Sequence, residues 1–183
     1  MRSQLGLLFS LFFMGMLLTG CPYESNVPVT EKAADIPSNF IGKWVNVRDF
    51  SPFGQTTYYE FQSKDKKQFT ITKYEYADGD ESNEPSVYKG HFSNVNGTLF
   101  MNLIYVSDEA TTYFASGGSG QKIYYIYRVR PFKDYFVVDG LSTNITETFN
   151  TSNELKSYIE KHMKNDLFFD NGQEAVLTFM RKP

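Results

Sequence analysis

An antiparallel β barrel with one helix near its C-terminus is the fold class this mainly β sequence predicts, and three observations predict it. Short apolar or alternating runs recur at fairly regular spacing between turn signals, the pattern of an all-β sandwich or barrel. Aromatic residues make up 17% of the chain, and Tyr (13) is nearly as frequent as Phe (17), which suits pleated, half-buried surfaces. Only one segment carries a helical period. The 183 residues have room for one core plus accessory segments.

In chain order, Arg2 precedes an apolar run from Leu5 to Leu18 and the small residues Thr19 and Gly20, the layout of an export signal over residues 1–20. The run, about 14 residues long, is shorter than the roughly 20 that cross a bilayer, and no other stretch is long and apolar enough. A mature protein without a transmembrane helix is expected. Residues 21–38 hold three prolines between Pro22 and Ser38 and no apolar period, which reads as a flexible tether. At about 3.3 Å per residue such a tether reaches roughly 55 Å. Residues 39–183 then form the β domain.

Its expected strands run from Phe40 to Arg48, Thr56 to Gln62, Gln68 to Tyr76, Ser86 to Phe92, Thr98 to Val106, Lys122 to Arg130 and Tyr135 to Asp139. Asn96-Gly97 is a tight-hairpin signal, because both residues tolerate positive φ, so antiparallel neighbours follow. The helix is expected at about 152–164: Thr151 and Glu154 have capping-box spacing, and Leu155, Tyr158, Ile159, His162 and Met163 recur at helical spacing. Glu154 near its start and Lys161 and Lys164 near its end suit the helix dipole. Asn171-Gly172 marks a turn before a last strand from Glu174 to Arg181.

Charge and composition exclude several functions. Lys and Arg total 18 against 21 for Asp and Glu, a net charge of −3, so there is no basic footprint for a phosphate backbone and no nucleic-acid partner is expected. His91 and His162 stand apart, with no metal-ligand or nucleophile-elbow spacing; no catalysis, cofactor or metal is expected. The acidic run Asp78 to Glu84 offers oxygen ligands but lacks EF-hand spacing and reads as a solvated turn. Ser116 to Gly120 lacks the Gly-Lys-Ser/Thr context of a P-loop and reads as a loop. Sequons at Asn96, Asn144 and Asn150 matter only in a eukaryotic secretory pathway.

The aromatic residues are too many for one small core, and strand alternation sends some outward or into a cavity. Tyr tolerates a partly wet lining, since its ring packs while its hydroxyl seeks a partner. Tyr59, Phe61, Phe69, Tyr105, Tyr125 and Tyr127 are the candidate ligand-lining residues. Plain packing is the alternative for all of them.

Leu18-Thr19-Gly20-Cys21 resembles the lipobox of bacterial lipoproteins, and Cys21 is the only cysteine, so no disulfide can form within the chain. The resemblance implies a diacylglyceryl group on Cys21, cleavage before it, and acylation of the new amine, with palmitate as a typical chain. Several acyl chains anchor stably where one is marginal. A membrane contact through lipid on Cys21 and a place in the bacterial cell envelope, at the outer membrane, are what it implies.

Phe40-Ile41-Gly42-Lys43-Trp44 resembles the Gly-x-Trp motif on the first strand of lipocalins. Lys133-Asp134-Tyr135 is similar to their Thr-Asp-Tyr turn, with Lys133 in place of the threonine, and a late helix followed by strand matches their order. Gly140 to Thr148 contains no arginine to cover the tryptophan, a role that Arg181 could take. The resemblance implies a barrel whose mouth receives a small hydrophobic ligand, with Trp44 structural at its base. A protein-interaction or structural module with a filled barrel is the competing expectation, its protein partner unknown.

Overall fold

The computed structural model describes residues 23–50, 56–75, 85–106, 122–169 and 176–182. Cys21 and its lipobox, the acidic run 78–84, the glycine-rich 116–120, Asn171-Gly172 and the expected start of the last strand at Glu174 lie outside them.

The strands are β1 (Glu24–Ser25), β2 (Gly42–Phe50), β3 (Thr56–Ser63), β4 (Gln68–Tyr74), β5 (Ser86–Val95), β6 (Thr98–Tyr105), β7 (Tyr124–Pro131), β8 (Tyr135–Gly140) and β9 (Val176–Arg181); helix α1 spans Ser152–His162 between β8 and β9. Each of β2 to β9 pairs antiparallel with the next in sequence, and β9 returns to β2, so eight strands close into a barrel. Closure removes free edges. The helix precedes the strand that closes the barrel: Phe179 pairs with Asn46 on one side and Phe136 on the other.

At one end, the base, sit the β3–β4, β5–β6 and β7–β8 turns. Asn96 (φ 51°) and Gly97 (φ 84°) make the β5–β6 turn, so Val95 faces Thr98. A 3₁₀ turn at Ser38–Phe40 covers this end, and Trp44 Nε1 donates to Phe40 O at 2.9 Å. Arg181 places its guanidinium carbon 4.9 Å from the Trp44 ring centroid and donates to Asn39 O at 3.1 Å. Gly42, at φ 133°, leaves room for that guanidinium, which would lie 3.0 Å from a Cβ at this position. Gly90 is glycine for closeness: a Cβ there would meet Leu103 Cδ2 at 2.7 Å, Asn102 O at 2.8 Å and Phe69 Cζ at 2.9 Å.

Inside the barrel, Phe40, Trp44, Phe61, Phe69, Phe92, Phe136 and Phe179 form the centre of one core. A second core lies outside the wall, where Leu155 and Ile159 of α1 meet Phe100, Ile126, Leu141 and Phe169. The helix begins as its capping box requires: Thr151 accepts from Glu154 N–H and Glu154 reaches back to Thr151 N–H.

The segment read from sequence as a flexible tether is a strap on the barrel, which corrects that reading and moves the domain boundary from residue 39 to at least Tyr23. Glu24 and Ser25 pair with Tyr125 and Tyr124, beyond the point where β8 leaves β7. Val29 is fully buried, its N–H donates to Asn102 Oδ1 at 2.8 Å, and Asn102 Nδ2 donates to Ser93 Oγ at 2.9 Å. Lower down, Ala34 N–H donates to Phe92 O at 2.7 Å and Ile36 N–H to Lys66 O at 3.0 Å. Isolated side chains and irregular backbone bonds hold this strap, so no apolar period announces it.

Candidate functional site

Above the phenylalanine-packed base the barrel interior changes character. Alternation turns Tyr59 and Phe61 of β3, Ile71 and Lys73 of β4, Tyr88 of β5, Met101, Leu103 and Tyr105 of β6, and Tyr125 and Tyr127 of β7 to the inside. Register sets their height: Phe61 faces Ile71, Ile71 faces Tyr88, Tyr88 faces Tyr105, and Tyr127 faces Met101.

A cavity of about 150 Å³ lies there, walled by Tyr59, Phe61, Met101, Leu103, Val138 and Phe179 among others. A more open pocket of about 300 Å³ adjoins it towards the mouth, lined by Ser86, Tyr88, Tyr105, Tyr125 and Tyr127. Tyr88 and Tyr127 line both spaces. The lower one is almost wholly apolar; the upper one offers hydroxyl groups.

The hydroxyls of Tyr59, Tyr88 and Tyr127 are held neutral. Burial pushes Tyr127 up to about 12 and raises Tyr88. Burial raises Tyr59 further, helped by the charge of Asp49, whose Oδ2 accepts from the Tyr59 hydroxyl at 3.1 Å. Tyr127 retains accessible surface because cavity space adjoins its ring. Among the described residues on the cavity wall the charged side chain is Lys73, paired with Glu75. A neutral phenol donates one hydrogen bond and accepts others, so the site can hold an apolar group below and a polar group above.

Of the candidate ligand-lining residues, Tyr59 and Phe61 line the cavity, Tyr105 and Tyr125 the mouth pocket, and Tyr127 both. Phe69 does not line either space: it is buried in the base against Phe92, with ring centroids 4.8 Å apart. Alternation predicted its inward direction but not its height. Tyr88 and Lys73 were missed, as were the aliphatic walls from β8 and β9. Tyr88 shares its strand parity with Gly90 and Phe92, a signal the glycine obscures.

The histidines lie elsewhere. His91 faces outward beneath the strap, Nε2 3.2 Å from Thr30 O, and burial pushes its pKa down. His162 packs at a tilt against Tyr158 at the end of α1, with ring centroids 4.4 Å apart. Among the described residues, no group of three or more His, Cys, Asp or Glu could hold a metal ion, and no helix is long and apolar enough to cross a membrane. Neither a family model, nor a curated protein, nor a solved structure matches the chain.

Proposed function

We propose that this is a lipid-anchored protein of the bacterial cell envelope, attached at the outer membrane through Cys21, whose lipocalin-like barrel binds or carries a small hydrophobic ligand without catalysis. The observation that carries the reading is the cavity of about 150 Å³ under the tyrosine-lined mouth. A dry cavity of this size accepts a benzene-sized group. With the adjoining pocket, the space reaches the range of small-molecule sites, about 300–1,000 Å³ with a few placed polar groups. The base is sealed by packed rings, so the ligand enters from the tyrosine side.

The polar groups lining the two spaces are phenols, Ser86 and Lys73, whose ammonium pairs with Glu75, and the reading assigns them to holding the ligand. The competing interaction module requires a filled interior. Only the base has one.

Native mass spectrometry on residues 22–183, produced in a bacterial periplasm and purified without detergent, tests the binding. A discrete added mass, lost on activation, is expected. An unliganded mass that persists after incubation with a lipid extract overturns the carrier reading. Anchoring has its own test: Cys21→Ser is expected to leave the signal peptide uncut and to abolish acyl labelling, and labelled, processed protein from that variant would refute it.

A further inference from the structure

The upper pocket and the lower cavity differ in what they offer a ligand. Ser86, Tyr88, Tyr105, Tyr125 and Tyr127 line the pocket, so every polar side-chain group on its described wall is a hydroxyl. They come from three neighbouring strands, β5, β6 and β7, and register gathers them. Tyr88 faces Tyr105, with ring centroids 5.2 Å apart, while Tyr125 faces Leu103 and Tyr127, one step lower, faces Met101. A phenol both donates and accepts, so this group satisfies a hydroxyl or a carbonyl oxygen equally well.

Charge near the two spaces is matched within the protein. Lys73 faces Ser86 in register and lines the lower cavity, yet its ammonium pairs with Glu75. Asp49, on β2, accepts from the Tyr59 hydroxyl at 3.1 Å. Burial raises Tyr88, and Tyr127 to about 12, so neither supplies a phenolate at neutral pH. An ion taken from water into this space meets no unmatched opposite charge among the described wall residues. Desolvating an ion without a partner is costly, whereas an uncharged oxygen exchanges water for hydroxyls with little loss.

We infer that the ligand is an uncharged amphipath: a benzene-sized apolar body fills the lower cavity, and a hydroxyl or carbonyl oxygen lies among Tyr88, Tyr105 and Tyr127. The Lys73–Glu75 pair is the selectivity element, because it leaves the cavity wall without net charge. This assignment rests on the carrier reading proposed above.

Three probes that carry a phenyl ring on three carbons and differ in charge test it, in a nuclear magnetic resonance titration at neutral pH. The protein is residues 22–183, which contain the closed barrel and both cores. 3-Phenyl-1-propanol is expected to bind on the order of tenfold more tightly than 3-phenylpropionate or 3-phenylpropylammonium, with shifts centred on Met101, Leu103 and Tyr127. Glu75→Gln unpairs Lys73 and is expected to narrow the gap between alcohol and propionate about threefold, the scale of one half-exposed charge pair. The Glu75 side chain is 51% exposed, so the substitution leaves both cores packed. Either ion binding as tightly as the alcohol overturns the inference, as does absence of binding by all three, or shifts centred on α1 instead of the cavity. An unchanged gap in Glu75→Gln overturns the role of the ion pair. Native mass spectrometry decides the carrier reading separately: an added mass there, with an ion preferred here, keeps the carrier and discards the uncharged class.

Discussion

At the base of the barrel Phe40, Trp44, Phe92 and Phe136 meet with ring centroids 4.7 to 5.0 Å apart. Towards the mouth, Tyr59, two residues from Phe61 on β3, Tyr88, four from Phe92 on β5, and Tyr127, two from Val129 on β7, border open space. The strands are shared and the inward parity is shared; the residue types differ. Phenylalanine at the base has no polar atom to satisfy, so its rings interdigitate in edge and stacked contacts that add to area burial. Tyrosine higher up carries a hydroxyl that resists complete burial, and the wall there stays unfilled. The division separates what holds the barrel closed from what it can hold.

The most severe way to probe that division is to empty the base. Phe136 touches Phe40, Trp44, Phe61 and Phe179, and Phe136→Ala is expected to cost about 3–5 kcal/mol, lowering Tm on the order of 10 °C. Tyr105→Ala in the mouth should cost less than about 1.5 kcal/mol. Equal losses in urea unfolding would erase the distinction between base and mouth.

A smaller loss is expected on the outer wall. Asn102→Ala removes the acceptor of Val29 N–H and the donor to Ser93 Oγ, all of them buried, at a cost of about 1–3 kcal/mol. Amide exchange at Val29 should quicken more than at Phe92, since the strap and not the barrel has lost its partner. Uniform quickening would mean that strap and barrel unfold as one unit.

Strand direction was legible in the sequence because alternation reports it directly, and Asn96-Gly97 announced its hairpin. Height within the barrel was not: Phe69 and Tyr59 are both inward, yet turn positions and register, which depend on distant partners, put one in the base and the other at the cavity. The strap was illegible for a different reason. Val29 and Ile36 are isolated apolar residues among prolines and charges, and their burial depends on distant surfaces, that of β5, β6 and α1 for Val29 and that of the barrel base beside the β3–β4 turn for Ile36. The capping box of α1 was legible because both its partners are local.

Alkaline pH acts on the mouth through Tyr127. The unfolded phenol titrates near 10 and that of Tyr127 near 12, so the folded state holds the proton where the unfolded state has lost it. Its contribution is therefore complete below pH 10 and is lost as pH rises from 10 through 12. Tyr127→Phe should flatten that decline in urea midpoints, without altering the dependence below pH 9. An unchanged alkaline slope would mean that the ring is not held in its buried place.

The smallest expected change in stability carries the largest expected change in binding. Val138 borders the cavity on β8, one inward position above Phe136, and Val138→Phe extends the packed base upward into the open space. Filling about 150 Å³ with a ring restores contacts that the empty wall lacks, so the net effect should stay within about 1.5 kcal/mol in either direction. The added mass expected in native mass spectrometry should disappear with it. If Val138→Phe keeps the ligand, the ligand sits in the upper pocket among Tyr105, Tyr125 and Tyr127, and the apolar cavity beneath them is a packing gap.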